Sequence, residues 1–260
     1  MLSDDSRREA ARALHQAELD RKPITQLSIT YPGIELEDAY IIQRLWAEMK
    51  ISEGCRHVGH KIGLTSRAMQ MASKITEPDY GHLMDDMLYR DGAVIRADRF
   101  AKPRLEVELA FVLKEPLKGP GIQVHDVMRA TEYVLPALEI IDYRTAVPRA
   151  ITDTIADNAA SGAMVMGGRI IRPFDVDIRW VGATLAKNGV IEESGVSAAI
   201  MGHPAAGVAW LANKLAAQGV GMEPGHIILG GSFTRPVDVS AGDVIQADFG
   251  PLGAIGVSFV

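Results

Sequence analysis

Arg104-Leu-Glu-Val-Glu-Leu-Ala-Phe-Val-Leu113 is the stretch on which the fold turns. Its side chains alternate as in a strand: Leu105, Val107 and Leu109 fall on one face, Glu106, Glu108 and Ala110 on the other. Phe111, Val112 and Leu113 then follow with no polar residue between them, which predicts a strand whose faces are both shielded from bulk solvent. Working outward, short β-branched runs punctuated by Gly, Pro and Asp recur on both sides. They are HVGHKIGLT, GAVIRA, YVLPALEII, AMVMGGRII, WVGATLAKNGVI, HIILGGSFT, DVIQADFG and AIGVSFV. Such spacing predicts a β-rich, mixed sandwich or barrel. One helix is expected among these strands, over residues 204–219, with Pro204 at its first position and Gly219 at its end.

The first 55 residues have a different texture. Ala10, Ala13, Leu14 and Ala17 recur at helical spacing, and a clearer stripe of Leu36, Ala39, Tyr40, Ile42, Leu45, Trp46 and Met49 ends near Gly54. The expected class is therefore α+β, with an N-terminal helical region over 1–55 and a β-rich catalytic domain over 56–260. The 260 residues are 47% hydrophobic, enough for a sizeable core and too apolar for a disordered chain. A net charge of −6 argues against a nucleic-acid footprint. No run approaches the roughly 18–20 apolar residues of a membrane span, and the charged N-terminus lacks the apolar core of a signal peptide. The single Cys55 cannot form an internal disulfide, which predicts a cytoplasmic protein.

Two rises of about 3.3 Å place the Cα atoms of Glu106 and Glu108 roughly 6.6 Å apart, so both carboxylates can lean onto one ion. Buried together without a cation, one would have to take up a proton. Glu139, between Leu138 and Ile140-Ile141, is a third acid in apolar company. Three carboxylates without a nearby histidine or thiolate suit Mg²⁺ or Mn²⁺ better than Zn²⁺. The same spacing also suits a solvated strand face with Glu139 paired to an arginine. Lys61, within GHKIGLT, is either a desolvated acid/base of lowered pKa, an anion donor, or a packed stem with its ammonium in water. His60, on the opposite side of that strand, is read as structural. Asp79 follows Pro78 on an expected turn, as a proton-transfer group or a plain turn former. Ser161 ends a small-residue stretch that could hold a carboxylate through hydroxyl and backbone N–H groups. Arg235, beside Gly230-Gly231, is either an anchor for a second carboxylate or a surface arginine.

GHKIGLTSRAMQ, EPDYGHLMDDM, PRLEVELAFVL, VLPALEIID, TIADNAASG, MGHPAAGVAWLANKLA and ILGGSFTRPV occur in one order over about 200 residues. Together they resemble the hydratase/decarboxylase branch of the fumarylacetoacetate hydrolase superfamily. The resemblance implies helices followed by a β-rich mixed sandwich-barrel and a homo-oligomer, up to rings of ten. It implies Mg²⁺ or Mn²⁺ on Glu106, Glu108 and Glu139, with Lys61 and Asp79 as catalytic residues. GHKIGLTS, EPDYG, MDDM and GGSFTRPV are most similar to members that hydrate 2-oxohept-4-ene-1,7-dioate, a 2-oxo diacid, in aromatic meta-cleavage catabolism of 4-hydroxyphenylacetate. Ser161 and Arg235 would then bind substrate. Hydration of 2-oxopent-4-enoate and decarboxylation of 4-oxalocrotonate stay open, because they share the early chemistry. A non-catalytic partner subunit and a carboxylate-binding module are the rivals from other classes.

Overall fold

A computed structural model describes residues 1–260, with side chains throughout except those of Ala68 and Ala72. The chain begins with three helices, α1 (Asp4–Asp20), α2 (Leu27–Thr30) and α3 (Leu36–Ser52). Strand β1 (His57–Gly63), helix α4 (Arg67–Ala72) and strands β2 (Asp79–Met84), β3 (Leu88–Arg90), β4 (Ala93–Ile95) and β5 (Arg104–Leu113) follow. Helix α5 (Val124–Ala130) precedes β6 (Thr131–Ile141), and α6 (Ile151–Ala156) precedes β7 (Ser161–Met166). The remainder comprises β8 (Gly182–Lys187), β9 (Val190–Val196), α7 (Pro204–Ala216), β10 (Ile227–Leu229), β11 (Val237–Asp238), β12 (Val244–Asp248) and β13 (Ala254–Phe259).

Two mixed sheets result. The larger runs β2-β1-β10-β5-β6-β7-β3, with β11 pairing the start of β5; the smaller runs β4-β13-β12-β8-β9. This is the expected α+β architecture. Strand β5 lies in the middle of the larger sheet, antiparallel to both β10 and β6, and its residues from Val107 to Leu113 are all buried. The uninterrupted Phe111-Val112-Leu113 run follows from that position, since each face of a central strand is covered.

The helical region is tied to the sheets by polar groups that periodicity does not reveal. Asp38 accepts from the backbone N–H groups of Glu35 and Leu2, capping α3, and pairs with Arg7 of α1. Buried Gln43 donates to the carbonyls of Tyr80 and Ile155, and Lys50 bridges Glu18 and Asp86. Helix α7 starts as expected, with His203 as the N-cap and Pro204 at the first position. Two expectations fail. Helices α4, α5 and α6 also interrupt the strands, and at six or seven residues each they are too short to set up a readable period. Asp79 opens strand β2 as a buried residue rather than standing on an exposed turn. No helix among the described residues is long and apolar enough to cross a membrane.

Candidate functional site

Strand pairing puts the three acids on one face. Glu106 and Glu139 are direct antiparallel partners, and Glu108 pairs with Ala137, two residues from Glu139. Residues that alternate along each strand share a face, so one carboxylate oxygen from each of the three lies within 4.8 Å of the others. Glu108 and Glu139 are fully buried and Glu106 is half-buried. The Glu108 Oε2 atom accepts from the Gly231 N–H at 2.9 Å, while Glu108 Oε1 and both oxygens of Glu139 have no hydrogen-bond donor. Burial, and then the charge of Glu139, push Glu106 up to about 8 and Glu108 well above the carboxylate range.

The row of partners across β1, β10 and β5 carries Lys61, Leu229 and Ala110. Lys61 thereby joins the acids: its Nζ donates to the Ala159 carbonyl at 3.0 Å and stands 3.3 Å from Glu139 Oε2. Of the alternatives open for Lys61, an acid/base of lowered pKa is the one the surroundings oppose. Burial acts to lower it, but the charges of Glu139, Asp79, Glu106 and Glu108 outweigh burial and raise it. Asp79, on neighbouring β2, faces Gly63, and its Oδ1 is buried without a partner. Burial lifts its carboxyl to about 6, against the opposing pull of Lys61 and Arg149. Gly63 makes this proximity feasible, because a Cβ there would meet Asp79 Oδ1 at 2.3 Å and Lys61 Nζ at 3.1 Å.

Ser161 opens β7 directly after Asn158, Ala159 and Ala160, all at positive φ. Its hydroxyl is buried and unpartnered. Arg235 stands outside the buried cluster, 82% exposed at its side chain and paired with Glu193 at 2.7 Å. The structure therefore brings Lys61, Asp79, Glu106, Glu108 and Glu139 together, with Ser161 beside the turn that holds Lys61, and leaves Arg235 at the surface.

Several supporting residues were not foreseen. Arg144 pairs with buried Asp157 and donates to the carbonyls of Asp157 and Ser161, which holds the strained 158–160 turn in place. Asn158 reads both backbone groups of His82, fixing β2 against that turn. Arg149 pairs with Asp157 and lies on the Tyr143 ring. Only the small-residue run Ala159-Ala160-Ser161-Gly162 hinted at this turn; nothing in the spacing links Arg144 to Asp157.

The donor set fits a hard divalent cation. Orphaned carboxylate oxygens, all-oxygen chemistry and one half-open ligand leave room for water or a chelating substrate. When occupied, the ion would relieve the like-charge cost that holds Glu106 and Glu108 toward protonation.

Comparison with known proteins identifies the family of the chain. The family model for the fumarylacetoacetate (FAA) hydrolase C-terminal region matches residues 54–260. The chain is 54% identical over 257 residues to the 2-oxo-hept-4-ene-1,7-dioate hydratase of Escherichia coli, covering 96% of each. It is 38% identical over 259 residues to the 2-keto-4-pentenoate hydratase of Paraburkholderia xenovorans (strain LB400), covering 99% of this chain and 96% of that one. The structure superposes on 4-oxalocrotonate decarboxylase from Pseudomonas putida G7, complexed with magnesium and adipate, with a TM-score of 0.98. That match has 35% identity and covers 100% of this chain and 99% of the other. With the family model over residues 54–260 and the similarity over the whole length, the chain belongs to the fumarylacetoacetate hydrolase family.

Proposed function

We propose that the protein is a divalent-metal-dependent hydratase that adds water to 2-oxohept-4-ene-1,7-dioate, giving 4-hydroxy-2-oxoheptane-1,7-dioate. The observation that carries the reading is the buried face on which three carboxylates with orphaned oxygens meet Lys61 and Asp79. Glu106, Glu108 and Glu139 would hold Mg²⁺ or Mn²⁺, which when bound would supply a Lewis acid for the substrate's 2-oxo acid end. Asp79, near 6, can take and return a proton at neutral pH, and removes one from C3. Lys61, kept charged by the acids around it, delivers a proton at C5, which moves the double bond from C4–C5 to C3–C4. Water then adds at C4, giving up one proton that restores the Lys61 ammonium, and C3 regains its proton from Asp79. The Ser161 hydroxyl binds the C1 carboxylate, using a donor that has no other partner.

The seven-carbon substrate is supported by the 54% identical hydratase, and a dicarboxylate by the adipate complex of the decarboxylase. Arg235 is proposed to bind the C7 carboxylate, for which it must exchange Glu193 for the substrate. Arg235→Leu should lower kcat/KM for the diacid by about tenfold, some 1.4 kcal/mol, while sparing the monoacid 2-oxopent-4-enoate. Equal effects on both substrates would remove Arg235 from the site. Residues 1–55 act as a helical buttress for the catalytic region 56–260. We place the enzyme in the cytoplasm, in aromatic meta-cleavage catabolism of 4-hydroxyphenylacetate. It would act as a homo-oligomer, as the exposed Phe174 and Trp180 suggest; light scattering tests its mass.

Mass spectrometry of the product from freshly generated 2-oxohept-4-ene-1,7-dioate and Mg²⁺ decides the reaction. Gain of one water, lost with chelator, is expected. Loss of CO₂ would move the protein to the decarboxylase side, and an unchanged substrate would overturn the reading.

A further inference from the structure

Behind the carboxylates lies a second cluster. His60 and His82 are direct partners across β1 and β2, on the face opposite Lys61. His57 is three residues from His60, a spacing that in a regular strand would point it the other way. The register shift between His57 and Gly59 brings it round. The His57 ring then lies 4.7 Å from that of His60 and 5.2 Å from that of His82, with His226 5.3 Å away. Gly59 is required for this path, because a Cβ there would meet the Ile227 carbonyl at 1.8 Å.

We propose that His57, His60 and His82 form a second metal site, for a borderline-soft divalent cation of the Zn²⁺ type, which clamps β1 to β2. One ring nitrogen from each of the three lies within 4.8 Å of the others. His82 Nδ1 and His57 Nε2 are 3.2 Å apart, and tetrahedral zinc with Zn–N bonds of about 2.0–2.1 Å separates its ligand nitrogens by about 3.3 Å. His60 is 1% exposed, and its Nδ1 is buried without a hydrogen-bond partner among the described residues. Burial and the neighbouring rings keep all three imidazoles neutral, with His57 near 4 and His82 near 3, and neutral imidazole is the form that binds metal.

The three histidines adjoin a cavity of about 240 Å³, lined also by Tyr40, Arg44, Glu48, Tyr80, Gln218 and His226 among others. Arg44, the one cation in that lining, is drawn toward Glu48 at 3.7 Å. The His226 Nδ1 accepts from the Glu223 N–H at 3.2 Å, so its ring is already oriented beside the cluster. All-nitrogen donors separate this site chemically from the all-oxygen carboxylates on the other face. The same two strands carry Lys61 and Asp79 there, and a clamp here would hold that pair in register.

Cobalt tests the proposal, because tetrahedral Co²⁺ on nitrogen absorbs intensely in the visible and octahedral Co²⁺ on oxygen only weakly. Metal-stripped full-length protein titrated with Co²⁺ should develop the intense bands at one ion per chain. The bands should persist in Glu108→Gln and vanish in His57→Gln and in His82→Gln. Equimolar Zn²⁺ should displace the Co²⁺ and raise the thermal midpoint of wild type, but not that of His57→Gln. His57 is half-buried, so this variant decides the matter alone if His82→Gln fails to fold by circular dichroism. Absence of the bands in wild type, or their survival in folded His57→Gln, would overturn the site and leave the 3.2 Å contact as a plain histidine–histidine hydrogen bond.

Discussion

Glu108 shows what a buried acid costs beside other buried acids. It has one backbone donor, Gly231, and one orphaned oxygen, beside two further carboxylates. Glu108→Gln removes the cost of desolvating or protonating the acid and keeps a carbonyl for Gly231, so the chelator-treated variant should be more stable than wild type by about 1–3 kcal/mol, with a higher melting temperature. Its Mg²⁺-dependent turnover should fall about 100-fold or more, since several kcal/mol of Lewis-acid stabilisation depend on the ligand set. Thermal melts in chelator and steady-state rates in Mg²⁺ read the two effects. The pH response follows from Asp79 near 6 and Glu106 near 8, both raised by burial above their unfolded values. A carboxyl raised on folding favours the native state while it is protonated, and that contribution disappears as pH climbs through its folded value. Metal-free protein should therefore lose stability between about pH 4 and 8. Mg²⁺ should restore more of it at pH 8 than at pH 6, measurable by denaturant unfolding at each pH. A flat profile would show that these carboxyls are not desolvated in solution.

At the scale of elements, β1 and β2 divide the chemistry between their two faces. Lys61 and Asp79 point toward the carboxylates, and His60 and His82 point away. The dyad depends on Gly63, where any side chain intrudes between Asp79 and Lys61. Gly63→Ala should leave Mg²⁺ affinity near that of wild type and cut kcat by about 10²-fold, the usual penalty for displacing a reacting group by about 1 Å. A metal titration alongside kcat separates this from general unfolding. Unchanged kcat would mean that Asp79 and Lys61 need not approach one another. Among the elements, the long strands β5 and β6 were readable because alternation and apolar runs over ten or more residues leave few alternatives. Helix α6 and the left-handed turn after it were not, since six residues make under two turns.

The whole molecule is held together by contacts between its helical start and its sheets. Gln43 of α3 reaches the carbonyls of Tyr80 in β2 and Ile155 in α6, both buried. Gln43→Leu fits the space but strands two acceptors, and should cost about 1–3 kcal/mol of unfolding free energy in urea. Because Tyr80 follows Asp79, part of the effect should appear as a lower kcat at temperatures below the melt. An unchanged unfolding midpoint would show that water replaces the amide at both carbonyls.

By itself, the amino-acid sequence determined the class and the chemical cast. Alternation in 104–113 placed Glu106 and Glu108 on one face, the apolar run around Glu139 made it a third buried acid, and ordered motifs pointed to the family. These are local properties: side-chain period and composition act over a few residues and survive any arrangement of the elements. Only the tertiary structure decided which distant groups meet. It raised the pKa of Lys61 by surrounding it with acids from three other strands, moved Asp79 from a turn into the interior, and left Arg235 at the surface with Glu193. It also turned His57 toward His60 and His82 through one bulge, and bound Arg144 to Asp157. Each of these depends on strand order, register or desolvation, and those are properties of the packed chain rather than of any segment.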